Sequence, residues 1–66
     1  MNIIEVFNGG ARIVEYPKRP ECERYEAQYY KQYKVEGEHK EGWRTEVCGN
    51  LLQCYMWITK RVRVSV

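Results

Sequence analysis

Arg24-Tyr25-Glu26-Ala27-Gln28-Tyr29-Tyr30-Lys31-Gln32-Tyr33-Lys34-Val35, RYEAQYYKQYKV in one-letter code, sets four tyrosines into nine consecutive positions. Its conformation decides the fold. As a strand, it puts Tyr25, Ala27, Tyr29, Tyr33 and Val35 on one face with Lys31 as the lone charge, and Glu26, Gln28, Tyr30, Gln32, Lys34 and Glu36 on the other. As a helix, Cys22, Tyr25, Tyr29 and Tyr33 fall three or four residues apart behind a Pro20-Glu21 first turn. Tyrosine content favours the strand, whereas Glu, Ala, Gln and Lys favour the helix. The strand is carried forward, with a helix over 21–34 as the alternative. Both conformations turn Tyr25, Tyr29 and Tyr33 inward and leave Tyr30 on the opposite side.

Upstream, Ile3, Ile4, Val6 and Phe7 run into Asn8-Gly9-Gly10, residues that supply the positive φ of a tight turn, and Ala11 to Tyr16 follows at once. A hairpin over 2–16 is expected. Pro17 and Pro20 bracket Lys18 and Arg19 and stop the strand in a stiff basic loop. Downstream, 37–42 forms a turn. Trp43 to Cys48 and Leu51 to Ile58 then read as a second hairpin through the two-residue loop Gly49-Asn50, with Cys48 opposite Leu51 and Thr45 opposite Cys54. A short helix from Leu51 competes, but the β-branched and aromatic content argues for a strand. Val62, Val64 and Val66 alternate with Arg61, Arg63 and Ser65 as in a half-buried basic strand. The expected fold is thus a small single-domain β-rich one, an antiparallel sheet of two hairpins plus a central long strand. The alternative is an α+β (ββαββ) arrangement with the helix at 21–34 packed on the sheet.

The chain has 66 residues, and residues 1–66 are expected to form one compact domain with a thin core, since a domain of this size buries only about 60% of its unfolded surface. A composition 44% hydrophobic and 14% aromatic, without low-complexity runs, is that of a folded chain. The apolar stretch from Leu51 to Ile58 is far short of the roughly 20 residues that cross a bilayer, and MNIIEVF lacks the build of a signal peptide. No membrane association and a cytoplasmic location are expected. Cys22, Cys48 and Cys54, an odd and sparse set, fit free thiols.

The residue inventory excludes most chemistries. There is no aspartate, a single histidine at His39 and a single serine at Ser65, so a Ser-His-Asp arrangement cannot be assembled. His39 sits in a polar, glycine-flanked loop with the look of a solvated one, which argues against a Cys-His pair. The cysteines lack the close ligand pairs of a structural zinc site, and Gly9-Gly10 lacks the residues of a phosphate loop. No enzyme activity, no cofactor and no metal are expected.

A binding surface remains. Six tyrosines, two tryptophans and six arginines belong to the residue types enriched at protein interfaces, and a domain of this size cannot hide them all. Tyr25, Tyr29, Tyr33, Trp43 and Trp57 suit a thin core with polar tips at its rim. Tyr30, Tyr16, Tyr55 and Trp57 are the candidate partner anchors, with Lys31, Lys34, Arg44 and Glu26 orienting the partner. Lys18, Arg19, Lys60, Arg61 and Arg63, with Arg44, are the candidate phosphate contacts of a nucleic-acid reading. Against that reading stand nine glutamates and a net charge of only +2. In size and composition the chain resembles the small inhibitors that phages and mobile elements encode against host machinery, anti-CRISPR proteins among them. That resemblance implies a non-enzymatic protein acting by occlusion on a host macromolecular complex in the host-cell cytoplasm. A nucleic-acid-binding β domain and a homodimer assembled through an open sheet edge are the alternatives.

Overall fold

The computed structural model describes the backbone of residues 1–64 and the side chains of residues 1–60. Four strands, β1 (Asn2–Phe7), β2 (Ala11–Glu15), β3 (Tyr25–Val35) and β4 (Glu38–Gly49), form an antiparallel sheet in the order β1-β2-β3-β4. A 14-residue helix, α1 (Leu51–Val64), follows β4 directly. The chain therefore adopts the expected small β-rich fold, and the helix gives it α+β character as well.

The tyrosine segment is a strand along its whole length, preceded by one 3-10 turn at Glu21–Glu23. The helix considered for 21–34 does not form, because the alternation of Tyr25, Ala27 and Tyr29 with Glu26 and Gln28 lets a twice-paired strand bury one set against a helix while the other stays polar. The first hairpin stands as expected. The second is built by β3 and β4 and turns at Glu36-Gly37, with Val35 opposite Glu38. Both turn residues have positive φ, 52° and 85°, the combination a two-residue type I′ loop requires. Residues 38–42, expected in a turn, are therefore strand.

Gly49-Asn50 is not a hairpin loop. The Asn50 Oδ1 accepts from the Gln53 N–H at 2.8 Å, and the Asn50 N–H donates to Gln53 Oε1 at 2.9 Å. This reciprocal capping box satisfies two backbone donors where the helix begins. Gly49 is buried against it, and a Cβ there would collide with the Gln53 side-chain amide. Leu51, Cys54, Tyr55 and Ile58 then fall on one helical face, and among residues 51–58 only Ile58 is β-branched. Two expected pairings are corrected accordingly: Cys48 lies opposite Glu26 rather than Leu51, and Thr45 opposite Gln28 rather than Cys54. Instead of a strand, the backbone of 61–64 continues α1. Ser65 and Val66 lie outside the described residues, as do the side chains of Arg61 to Val64.

The helix lies on one face of the sheet, in a slab 37 × 32 × 15 Å. Cys54 and Ile58 join Ala11, Ile13 and Ala27 in a fully buried cluster, ringed by Phe7, Tyr25, Tyr29, Val47, Leu51 and Tyr55. Two irregularities set the registers. Ile4 is an extra residue between the pairs Ile3↔Val14 and Glu5↔Ile13, and Glu46 is an extra residue between Thr45↔Gln28 and Val47↔Ala27.

Two substitutions test this account of the turns. Gln53→Ala removes half of the capping box and is expected to cost about 1 kcal/mol, read as a lower urea midpoint at unchanged slope. Glu36→Asn places at φ 52° a residue that tolerates the left-handed region, and is expected to raise the midpoint.

Candidate functional site: the uncovered sheet face

With α1 on one side, the other side of the sheet presents a polar and aromatic surface whose members are set by strand register. Glu26 and Gln28 alternate on β3, Arg12 and Val14 stand beside them on β2, and Thr45 and Trp43 on β4. Glu26 and Gln28 are nonetheless buried, at 9% and 6% exposure. A buried carboxylate and amide must find partners, and here they find each other and their neighbours. Thr45 Oγ1 donates to Glu26 Oε1 at 2.6 Å, and Gln28 Nε2 donates to the same oxygen at 3.0 Å. The Arg19 guanidinium donates to Glu26 Oε2 at 2.6 Å.

Arg19 reaches Glu26 because its loop folds back along the sheet. The Tyr16 N–H donates to the Arg24 carbonyl at 2.8 Å, and the Arg19 N–H donates to the Tyr16 carbonyl at 3.0 Å. The guanidinium also lies 3.9 Å from the centre of the Tyr16 ring. Burial by itself pushes the Glu26 carboxyl up, but hydrogen bonds from Thr45, Arg19 and Gln28 outweigh it and hold the group below the usual carboxylate range.

From Gln28 the network runs on to the aromatic residues. Arg12 Nε donates to Gln28 Oε1 at 2.8 Å, which orients the guanidinium over Trp43, 4.1 Å from the ring centre. Trp43 meets Tyr30 nearly edge to face, with centroids 5.5 Å apart at 77°. Tyr30 is 47% exposed, and burial of its hydroxyl together with the neighbouring Glu41 raises its pKa, so it remains a neutral donor at physiological pH. Arg12, Trp43 and Tyr30 thus form a held cluster with one ring open to solvent. Ile3 and Val6 of β1 extend this face as apolar surface, 53% and 65% exposed.

The other residues singled out from the sequence are dispersed. Tyr16 and Arg19 lie together at one end of this face. Tyr55 is turned toward the core, its ring edge-on to Phe7 and its hydroxyl donating to Glu5. Trp57, expected both in the core and as an anchor, is 37% exposed on α1 and lies outside the buried cluster. Lys31 pairs with Glu46, Lys34 faces His39 at the hairpin tip, and Arg44 lies over Tyr33. Lys18 is exposed in the loop and Lys60 on the helix, in different layers, and the side chains of Arg61 and Arg63 lie outside the described residues.

The sequence pattern does not single out Arg12, Gln28 or Thr45, and Trp43, expected in the core, stands on the uncovered face instead. The period-two alternation of β3 already put Gln28 beside Tyr30. Adding Arg12 and Trp43 required the pairing of β2 and β4. Chemically the face offers rings, hydrogen-bond donors and acceptors to a partner. Cys54 is buried, which raises its thiol pKa, and among the described residues no three His, Cys, Asp or Glu side chains gather as metal ligands.

No protein-family model, curated protein or solved structure matches the chain. Among the described residues no helix is long and apolar enough to cross a membrane.

The depressed Glu26 pKa has a signed consequence. A carboxyl ionised more readily in the folded than in the unfolded state contributes stability that is present above its unfolded pKa and is lost as pH falls through its folded value. The urea midpoint should therefore fall as the pH drops below the ordinary carboxylate range, and Glu26→Gln should flatten that acid limb while lowering the midpoint at neutral pH.

Proposed function

We propose that this chain is a non-enzymatic protein-binding module that presents the uncovered sheet face to a partner and acts by occlusion. The observation that carries this reading is the Arg12-Trp43-Tyr30 cluster. These residue types dominate binding energy at interfaces, and here Gln28 and the edge-on ring contact already hold them in place. Side chains fixed before binding lose less entropy on association. Ile3 and Val6 supply apolar area beside the cluster, and Glu41 and Lys34 supply rim charges of both signs.

A nucleic-acid partner is less well supported on the same face. Phosphate contacts need free cations, whereas Arg12 is engaged by Gln28 and Trp43 and Arg19 is neutralised by Glu26. Base stacking along a strand uses successive open rings, and in this cluster Tyr30 is open while the Arg12 guanidinium covers one side of Trp43. In size and composition the chain is similar to phage-encoded inhibitors of host complexes, a class of partner that the reading accommodates, with action in the cytoplasm.

The reading is tested by affinity capture from bacterial lysate with the tagged chain, followed by titration of the purified partner. Trp43→Ala and Tyr30→Ala are each expected to weaken binding by about 2 kcal/mol, roughly thirtyfold, while Lys60→Ala on the opposite layer leaves it unchanged. Binding unaffected by both ring deletions would remove the proposed face. A gel shift with single-stranded DNA or RNA at about 50 mM salt, lost steeply as salt rises, would transfer the face to nucleic acid.

A further inference from the structure

The two edges of the sheet are built differently. β4 exposes Glu38, His39, Lys40, Glu41 and Arg44, a run of charge that keeps a long edge from pairing. β1 has one charged side chain, Glu5, while Ile3, Ile4 and Val6 are 53%, 40% and 65% exposed. An apolar edge with unpaired backbone donors and acceptors is a template for another strand.

The register of β1 indicates which strand fits. Asn2, Glu5 and Phe7 share the face of their partners Glu15, Ile13 and Ala11 toward the helix, and Ile3 and Val6 share the outer face with Val14 and Arg12, with Ile4 as the extra residue. Because of that extra residue, Phe7 and Val6 read from one end repeat the faces of Asn2 and Ile3 read from the other. An antiparallel copy of β1 placed with its Val6 opposite Ile3 also sets Phe7 opposite Asn2, so these four residues each meet one on the same face, while Glu5 meets the extra residue Ile4. Shifting by one residue to put Glu5 opposite Glu5 sets two carboxylates together and opposes Ile3 to Phe7 across faces; the shift the other way opposes Asn2 to Val6.

We infer that β1 pairs antiparallel with β1 of a second copy of this chain, in the register that places Ile3 opposite Val6. The product is a two-fold symmetric dimer with a continuous eight-stranded sheet, two copies of the four strands described above. Its two Ile3-Val6 pairs join both uncovered faces into one surface. The inference stands apart from the partner-binding reading, since the dimer uses the β1 edge and not the Arg12-Trp43-Tyr30 cluster.

Sedimentation equilibrium on the purified chain tests it. A mass of twice 8.0 kDa is expected as concentration approaches about 1 mM, with Val6→Lys weakening dimerisation at least about tenfold while Trp43→Phe and Lys40→Ala leave it unchanged. Val6 is 65% exposed, so the lysine is tolerated by the fold, and circular dichroism verifies this. The register is read separately in a Cys22→Ser, Cys48→Ser background. A mixture of the Ile3→Cys and Val6→Cys proteins should form a heterodimeric disulfide under mild oxidation, and Glu5→Cys alone should not. A monomer at all concentrations, a dimer indifferent to Val6→Lys, or cross-linking by Glu5→Cys in place of the mixture would each overturn the proposal.

Discussion

Cys54 and Ile58 of the helix meet Ile13 and Ala27 of the central strands, and this one apolar contact determines what each face of the sheet has to do. A 14-residue helix can cover only one side of a four-stranded sheet. The inner side therefore takes the apolar set of β2 and β3, and the outer side must hold itself together without a second layer. Glu26 and Gln28 show how: both are buried although no helix covers them, because the Arg19 loop folds over this end and the neighbouring side chains close the gaps. Their removal from water is offset by hydrogen bonds from Thr45, Arg19 and each other.

The polar network also explains why aromatic rings can stand on an uncovered face in fixed positions. Gln28 joins the Glu26 cluster to Arg12, and Arg12 spans Gln28 and the face of Trp43, which in turn supports Tyr30. A ring held from below by hydrogen-bonded neighbours is preorganised for contact, which is the property that turns an exposed aromatic residue into a binding element. The edges complete the picture, since charge protects β4 whereas β1 is mostly apolar.

Much of the fold was legible in local pattern. The alternation of residues 25–35 sorted Tyr25 and Tyr29, which ring the core, from Tyr30, whereas Tyr33 lies outside the core cluster under Arg44, and Asn8-Gly9-Gly10 marked the first hairpin. Gly49-Asn50 misled because the same two residue types serve a hairpin loop and a helix start. The distinguishing features lay just beyond it: Gln53 three residues after Asn50, and Leu51, Cys54, Tyr55 and Ile58 at helical spacing. The turn at Glu36-Gly37 was obscured for the opposite reason, since glutamate rarely occupies a positive φ and so does not announce one.

The sequence by itself determined the alternation of faces along β3, the first hairpin turn at Asn8-Gly9-Gly10 and the absence of aspartate, because these depend on composition and on near neighbours along the chain. Only the tertiary structure decided that Arg12, Trp43 and Tyr30 meet and that Arg19 closes on Glu26. Those contacts depend on how β2 and β4 register against β3, and the extra residue Glu46 shifts that register where no local signal marks it. With a side-chain period of two, a slip of one residue would have turned Trp43 to the other face, so the site exists only through the long-range pairing that holds it in place.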